Sequence, residues 1–303
     1  MKVVLCTSQD ISRKLAESFH RKKGIDLVVA TQITPRDRIY GYESAIDYCA
    51  KNKIPCWQPK RIDAEFIEKA RAFAPDIIVA AYFPQIFPKA LLDIPRLGAV
   101  NVHPGDLPRY RGTFAIPWQI LNGETELTTT LHYIDAGVDS GDVIAQKKIA
   151  IPSDITGFEL YKKAMHLSAD LVTESFDALV AGKLKSRPQK GYGSYYNRLD
   201  PHCHIDWNQP REAVMRQVRV HAKPYLPAFT YLFNRCVYVN KVSFHDEPKA
   251  SAHGAGLIAK IFPDKSFAVA CADGWLRVHE YEVTPQLDKQ EIPLHFAEGV
   301  RLG

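Results

Sequence analysis

The sequence predicts an α/β fold: a mostly parallel sheet in the N-terminal part, then a smaller β-rich, barrel-like domain. Three observations lead there. Strand-like and helix-like stretches alternate from Val3 to Ala181. One apolar run, Asp76-Ile-Ile-Val-Ala-Ala-Tyr82, is continuous, as a strand buried on both faces must be. Beyond about residue 200 the alternation gives way to a series of short strand patterns. Strand–helix–strand repeats imply right-handed crossovers and parallel pairing.

Taken in order, Val3–Cys6 is a short apolar strand, and Ile11, Leu15 and Phe19 recur every four residues, as one face of a helix over 11–21. Leu27–Ala30 is a second strand, Tyr42–Ala50 a helix and Ile54–Trp57 a short strand. Asp63 caps a helix with the apolar face Phe66, Ile67, Ala70 and Phe73, ended by Pro75. Phe114–Leu121 suits a helix, while the β-branched run Leu127–Ile134 and then Val143–Ile151 suit strands. Thr156 and Glu159 form a capping box for a long helix that reaches Ala181 and stops at Gly182. The expected limits are 1–185 for the first domain, 186–200 for a linker with Pro188, Gly191 and Gly193, and 201–303 for the β-rich domain. The last opens with Ile205-Asp-Trp207 and a helix over Arg211–Val220, then strands at Phe229–Phe233, Cys236–Phe244, Leu257–Phe262, Phe267–Cys271 and Trp275–Val283.

Composition narrows the function. The 303 residues carry a formal net charge of +5, with basic residues scattered rather than clustered, so charge gives little support to a nucleic-acid surface. No apolar run approaches the roughly 20 residues of a membrane span, and Met1–Asp10 turns polar too soon for a signal peptide. The six cysteines include no Cys-x-x-Cys pair. Free thiols in a reduced, cytoplasmic setting are expected. His202, Cys203 and His204 are adjacent, and neighbours on a strand point oppositely, so no metal site is expected there.

Two stretches carry the chemistry. In Asn101-Val-His-Pro-Gly-Asp-Leu-Pro-Arg-Tyr-Arg-Gly112, Asn101 and His103 lie two apart at the end of a strand-like run, so both face one side where open α/β sheets do chemistry. Pro104, Gly105, Pro108 and Gly112 then shape a rigid loop. The second stretch, Asp135-Ala-Gly-Val-Asp-Ser-Gly-Asp142, is a turn-rich acidic loop between two strands. An isolated histidine or an acidic turn is most often structural.

Together the two stretches resemble the folate-dependent formyltransferases. Their signature Asn-x-His-x-x-x-Leu-Pro-x-x-Arg-Gly is matched at Asn101, His103, Leu107, Pro108, Arg111 and Gly112, with Gly105 where many relatives carry Ser. Their Asp-x-Gly-x-Asp-x-Gly loop is matched at Asp135, Gly137, Asp139 and Gly141. The resemblance implies a Rossmann-like catalytic domain, a catalytic trio of Asn101, His103 and Asp139, no metal, and 10-formyltetrahydrofolate as the formyl donor. It places the pterin of the donor against Tyr82, Phe83, Gln85, Ile86 and Phe87 and against Ile134, Asp135, Gly137 and Val138. Phe83, Ile86 and Phe87 suit ordinary core packing equally well. Ile205-Asp-Trp207 and Pro227-Ala-Phe229 are similar to pieces of the second domain in longer relatives, which have a glycine after the proline.

Two acceptors occur among two-domain relatives: methionyl-tRNA and amino groups of nucleotide-linked sugars. The tRNA enzymes carry a long basic loop after the second strand, whereas Gln32–Glu43 is short, with two arginines and no lysine. A nucleotide-linked amino sugar is therefore the expected acceptor, and tRNA is the alternative. Pro108, Arg109, Tyr110 and Arg111 would line the nucleotide, the two arginines either holding a diphosphate or bracing the loop. A homodimer is expected. A binding module that had kept the fold without catalysis would lack one of the three polar residues.

Overall fold

The computed structural model describes residues 1–32, 44–198, 203–246, 254–284 and 297–303, in two compact units. The first comprises Met1–Trp118, Glu126–Ala150 and Tyr161–Asn197. The second comprises Gln119–Thr125, Ile151–Leu160 and Arg198–Gly303.

In the first unit the chain runs β1 (Lys2–Thr7), α1 (Gln9–Arg21), β2 (Asp26–Thr31), α2 (Ala45–Asn52), β3 (Cys56–Trp57), α3 (Ala64–Phe73), β4 (Ile77–Ala81), α4 (Lys89–Leu92) and β5 (Ala99–His103). The two-residue β6 (Arg111–Gly112) and α5 (Ala115–Leu121) follow, the end of α5 counting with the second unit. The hairpin strands β7 (Glu126–Tyr133) and β8 (Val143–Ala150) come next, then α6 (Gly157–Val180), whose first turn counts with the second unit, and β9 (Tyr195–Tyr196). The main sheet has the order β3-β2-β1-β4-β5-β7-β8. Its first five strands are parallel and the last two antiparallel.

Alternation along β1 divides the core. Val3 and Leu5 point to the side covered by Ile11, Leu15 and Phe19 of α1 and Met165, Val172 and Phe176 of α6. Val4 and Cys6 point to the side covered by Phe66 and Ala70 of α3 and by Leu91. Phe19 and Phe176 meet edge to face at 4.7 Å, both fully buried. Burial of each such ring is worth about 1.5–3 kcal/mol. Both sequence-read caps form: Asp63 accepts from the Phe66 amide, and Thr156 and Glu159 bond reciprocally.

Because β2 and β4 flank β1 on opposite sides, the chain reverses its direction of travel at β1, and the crevice for a ligand opens at the carboxyl ends of these strands. The end of β5 lies on that edge.

The segment read as a linker has a place in the first unit. Arg187 exchanges two backbone hydrogen bonds with Val143, and β9 pairs in parallel with β6. Two-residue strands have no periodicity to betray them, which is why this pairing is invisible in the sequence.

The second unit holds α7 (Arg211–Val220) and an antiparallel sheet in the order β10 (Ala228–Leu232), β11 (Arg235–His245), β14 (Trp275–Thr284), β13 (Phe267–Ala270), β12 (Ile258–Ile261). Its core joins Trp207, Val214 and Val218 to Val237, Val239, Phe267, Leu276 and Val278. Among the described residues no helix is long and apolar enough to cross a membrane.

Candidate active site

β5 and β7 are antiparallel neighbours, and their register sets Asn101 opposite His132 and His103 opposite Thr130. The β7–β8 hairpin loop returns Asp139 to the same spot. Asp139 sits at φ +51° and Tyr110, on the facing loop, at φ +64°. Each is a left-handed conformation that costs a non-glycine residue about 1–2 kcal/mol. Such strain gathers at functional sites, where the surrounding structure holds it in place.

The carboxylate of Asp139 is the hub. Its Oδ2 accepts from the Gly112 amide at 2.9 Å and lies 3.5 Å from His103 Nδ1. Its Oδ1 accepts from Asn101 Nδ2 at 3.4 Å and lies 3.6 Å from His132 Nε2. Gly112 must be glycine for this contact: it has φ +90°, and a Cβ there would overlap the Tyr196 carbonyl oxygen.

Partners fix both imidazoles. His103 Nε2 is 2.6 Å from the Tyr110 carbonyl oxygen, so Nε2 carries a proton and donates it. That leaves Nδ1, beside Asp139, as the proton-accepting atom of neutral His103. His132 Nδ1 donates to the Tyr133 carbonyl at 2.7 Å, so its Nε2 accepts from Asn101 at 3.2 Å. His103 is 6% exposed. Burial holds its imidazole below the ordinary value and outweighs the opposing pull of Asp139 and of the Tyr110 carbonyl. Burial alone would raise the Asp139 carboxyl, but His103 and His132, whenever a proton reaches the nitrogen that faces it, and the Gly112 amide pull it well below the usual carboxylate range. The site thus presents an anionic carboxylate beside a neutral base. A proton arriving at Nδ1 would convert the 3.5 Å contact into an ion pair.

Gly105 belongs to this arrangement. A Cβ there would come within 2.7 Å of both His103 Nε2 and the Tyr110 oxygen, so any side chain would displace the His103–Tyr110 bond. A serine at this position would not fit this loop as it stands.

The residues expected to touch the formyl donor lie on two neighbouring loops. Phe83, Phe87 and Ile134 pack into one apolar cluster. Gln85 is tied to the 60–62 loop, accepting from the Ile62 amide at 2.5 Å. Tyr82 reaches Ser168 at 3.4 Å. Ile86 and Val138 stand 75% and 43% exposed, and Asp135 accepts from Gly137 N and Ser140 Oγ within its own loop. Of the expected nucleotide contacts, Arg111 turns inward. Its Nε and Nη2 donate to Gln189 Oε1 at 3.1 and 2.6 Å, and its Nη1 donates to the Tyr195 hydroxyl at 3.0 Å. Arg109 is exposed and lies over the buried Tyr110 ring, and Pro108 accepts from the Ser194 amide.

Two residues of the site went unread in the sequence. His132 was one polar residue within a strand, and its meeting with Asn101 depends on a register that no local pattern encodes. Gln189 lay in the presumed linker. Among the described residues no group of three or more His, Cys, Asp or Glu is arranged to hold a metal.

Comparison with known proteins gives the family. Residues 2–175 match the formyl transferase family and residues 199–296 match the formyl transferase C-terminal domain. The chain belongs to the formyl transferase family. The methionyl-tRNA formyltransferase of Pelobacter propionicus is 36% identical over 257 residues, covering 82% of this chain and 79% of that protein. That of Clostridioides difficile is 30% identical over 291 residues, covering 93% and 92%. Among solved structures, an N-formyltransferase from Helicobacter canadensis in complex with folinic acid and dTDP-3-aminofucose matches with a TM-score of 0.72. It is 18% identical and covers 93% of this chain and 99% of that one, a likeness of fold. The link Gln32–Glu43, apart from Gln32, lies outside the described residues.

Proposed function

We propose that this formyltransferase moves a formyl group from 10-formyltetrahydrofolate to the amine of a nucleotide-linked amino sugar. The observation that carries the reading is the meeting of Asn101 and His103 with one carboxylate, Asp139, at the carboxyl edge of the sheet. Exposed Ile86 and Val138 beside the Phe83–Phe87–Ile134 cluster offer an apolar rest that suits a flat pterin. When bound, the donor supplies an activated formyl carbon.

The chain's own residues handle charge and protons. As the amine attacks, it must lose a proton, and His103 Nδ1 accepts it. Asp139 stabilises the imidazolium that results. Negative charge developing on the formyl oxygen calls for donors. The 3.4 Å Asn101–Asp139 bond is long, so this amide hydrogen is the one that can turn to that oxygen. His103 then returns its proton to the departing nitrogen.

The sugar acceptor is supported by the short 32–43 link with its two arginines and no lysine, too few phosphate contacts for gripping a tRNA end. Two observations favour methionyl-tRNA as a second reading. Relatives at 30–36% identity bear that name. In addition, Lys183, Lys185, Arg187 and Lys190 are exposed on one segment with exposed Tyr192 and Tyr195. The test is to incubate the protein with 10-formyltetrahydrofolate and either a panel of nucleotide-linked amino sugars or methionyl-tRNA, and to follow the products by mass spectrometry. Formylation of a sugar is expected. Formylation of the tRNA and of no sugar would overturn the acceptor, and transfer to neither would overturn the reading.

A further inference from the structure

We infer that Gln189 is a positioning residue, one amide that holds the backbone of Asp139 to the Arg111 loop and so keeps the Asp139 carboxylate against Asn101 and His103. The inference rests on the formyl-transfer reading above.

Every hydrogen-bonding group of the Gln189 side chain is engaged. Its Nε2 donates to the carbonyls of Asp139 (2.8 Å) and Gly141 (2.7 Å), and its Oε1 accepts both donors from Arg111. These bonds act on the carboxylate from two directions. The two carbonyl contacts fix the hairpin turn in which Asp139 takes its left-handed φ of +51°. The Arg111 contacts fix the residue next to Gly112, whose amide donates to Asp139 Oδ2. The bridge therefore sets the carboxylate relative to its backbone and relative to the amide that receives it. Gln189 itself is carried on an exposed segment pinned at both ends, by Arg187 to Val143 and by β9 to β6.

Two substitutions separate positioning from space-filling. Gln189→Met keeps the length and removes all polar bonds. Gln189→Glu keeps shape and the acceptor for Arg111 but turns oxygen lone pairs on two carbonyl oxygens. If the side chain only filled space or anchored Arg111, Gln189→Glu would be tolerated.

The decisive readout is the NMR titration of the His103 imidazole, recorded without substrate. The groups facing that ring are Asp139, His132 and the Tyr110 carbonyl, of which Asp139 and Tyr110 raise its midpoint and His132 lowers it. Release of Asp139 lowers the midpoint further, and Asp139→Asn gives the size of the complete effect. Gln189→Met is expected to move the midpoint down, towards that of Asp139→Asn, whereas in Gln189→Glu the added carboxylate acts the other way on the imidazole, and the rate is the readout shared by both variants. They should lower kcat by about 10- to 100-fold, the usual loss for a misplacement of about 1 Å, and change KM for the formyl donor by less than about threefold. Circular dichroism verifies the fold, and should Gln189→Met unfold, the neutral Gln189→Asn, too short to span the bridge, carries the titration. A midpoint unmoved in the folded neutral variants overturns the inference whatever their rate. Because the titration uses no substrate, a wild-type protein that formylates nothing would refute the proposed function and leave this result to be judged separately.

Discussion

His103 is buried and His221 half-buried in the same chain, and the contrast between them shows what makes such a residue a base. Burial pushes each below the ordinary imidazole value, His221 to about 4. Among the described residues His221, in the second unit, meets neutral groups: the Cys203 sulfur at 2.7 Å and the Leu226 backbone. Neither supplies a counter-charge for a proton on it. His103 has its Nε2 proton committed to a carbonyl and its open nitrogen beside a carboxylate, at the edge of a parallel sheet where ligands bind. Burial is common to both. Partner charge and place in the fold separate them.

The largest expected effects attack His103 and its acid. His103→Ala and Asp139→Asn should each lower kcat about 100- to 10,000-fold, the usual range for losing a general base, while circular dichroism stays native. Near-normal rates in both would end the comparison. Asn101→Ala should cost about 100- to 1000-fold if its amide stabilises the oxyanion, read as initial rates at saturating donor. Gly105→Ala, which drives a methyl into the His103–Tyr110 bond, should lower kcat by at least about tenfold and is the sharpest test that this bond matters.

The pH dependence separates the two histidines further. His103 must be neutral to accept a proton and its value lies below the ordinary one of about 6.5. The rate should therefore hold on acidification until below that pH and then fall. His221 is depressed in the fold, so the unfolded chain binds its proton first. Its contribution to stability is complete above about 6.5 and is lost as pH drops towards about 4. At full effect that is on the order of 3 kcal/mol. His221→Asn should flatten the urea-midpoint profile in this window and leave kcat within about twofold, the smallest rate effect of the series.

Much of this was legible beforehand. Val3–Cys6, Ile77–Ala81 and the capped helix after Asp63 could be read because burial imposes a period and a cap imposes a residue type. Asn101, His103 and Asp139 were legible through a resemblance that no periodicity would supply. What escaped reading rests on long-range geometry. His132 enters the site through strand register, Gln189 reaches it from a segment whose proline and glycines look like a connector, and β6–β9 is too short to leave a pattern. The four-residue α4 after Pro88 was missed for the same reason.

The pinned segment that carries Gln189 has one more consequence. Tyr192 is fully exposed between two anchored points, the Arg187–Val143 bridge upstream and the Ser194 bonds to Pro108 and Arg111 downstream. A chymotryptic nick after Tyr192 would thus sever the chain while leaving both cut ends clamped. The halves would migrate together until denatured, and the molecule would behave there as though its wall were woven rather than threaded.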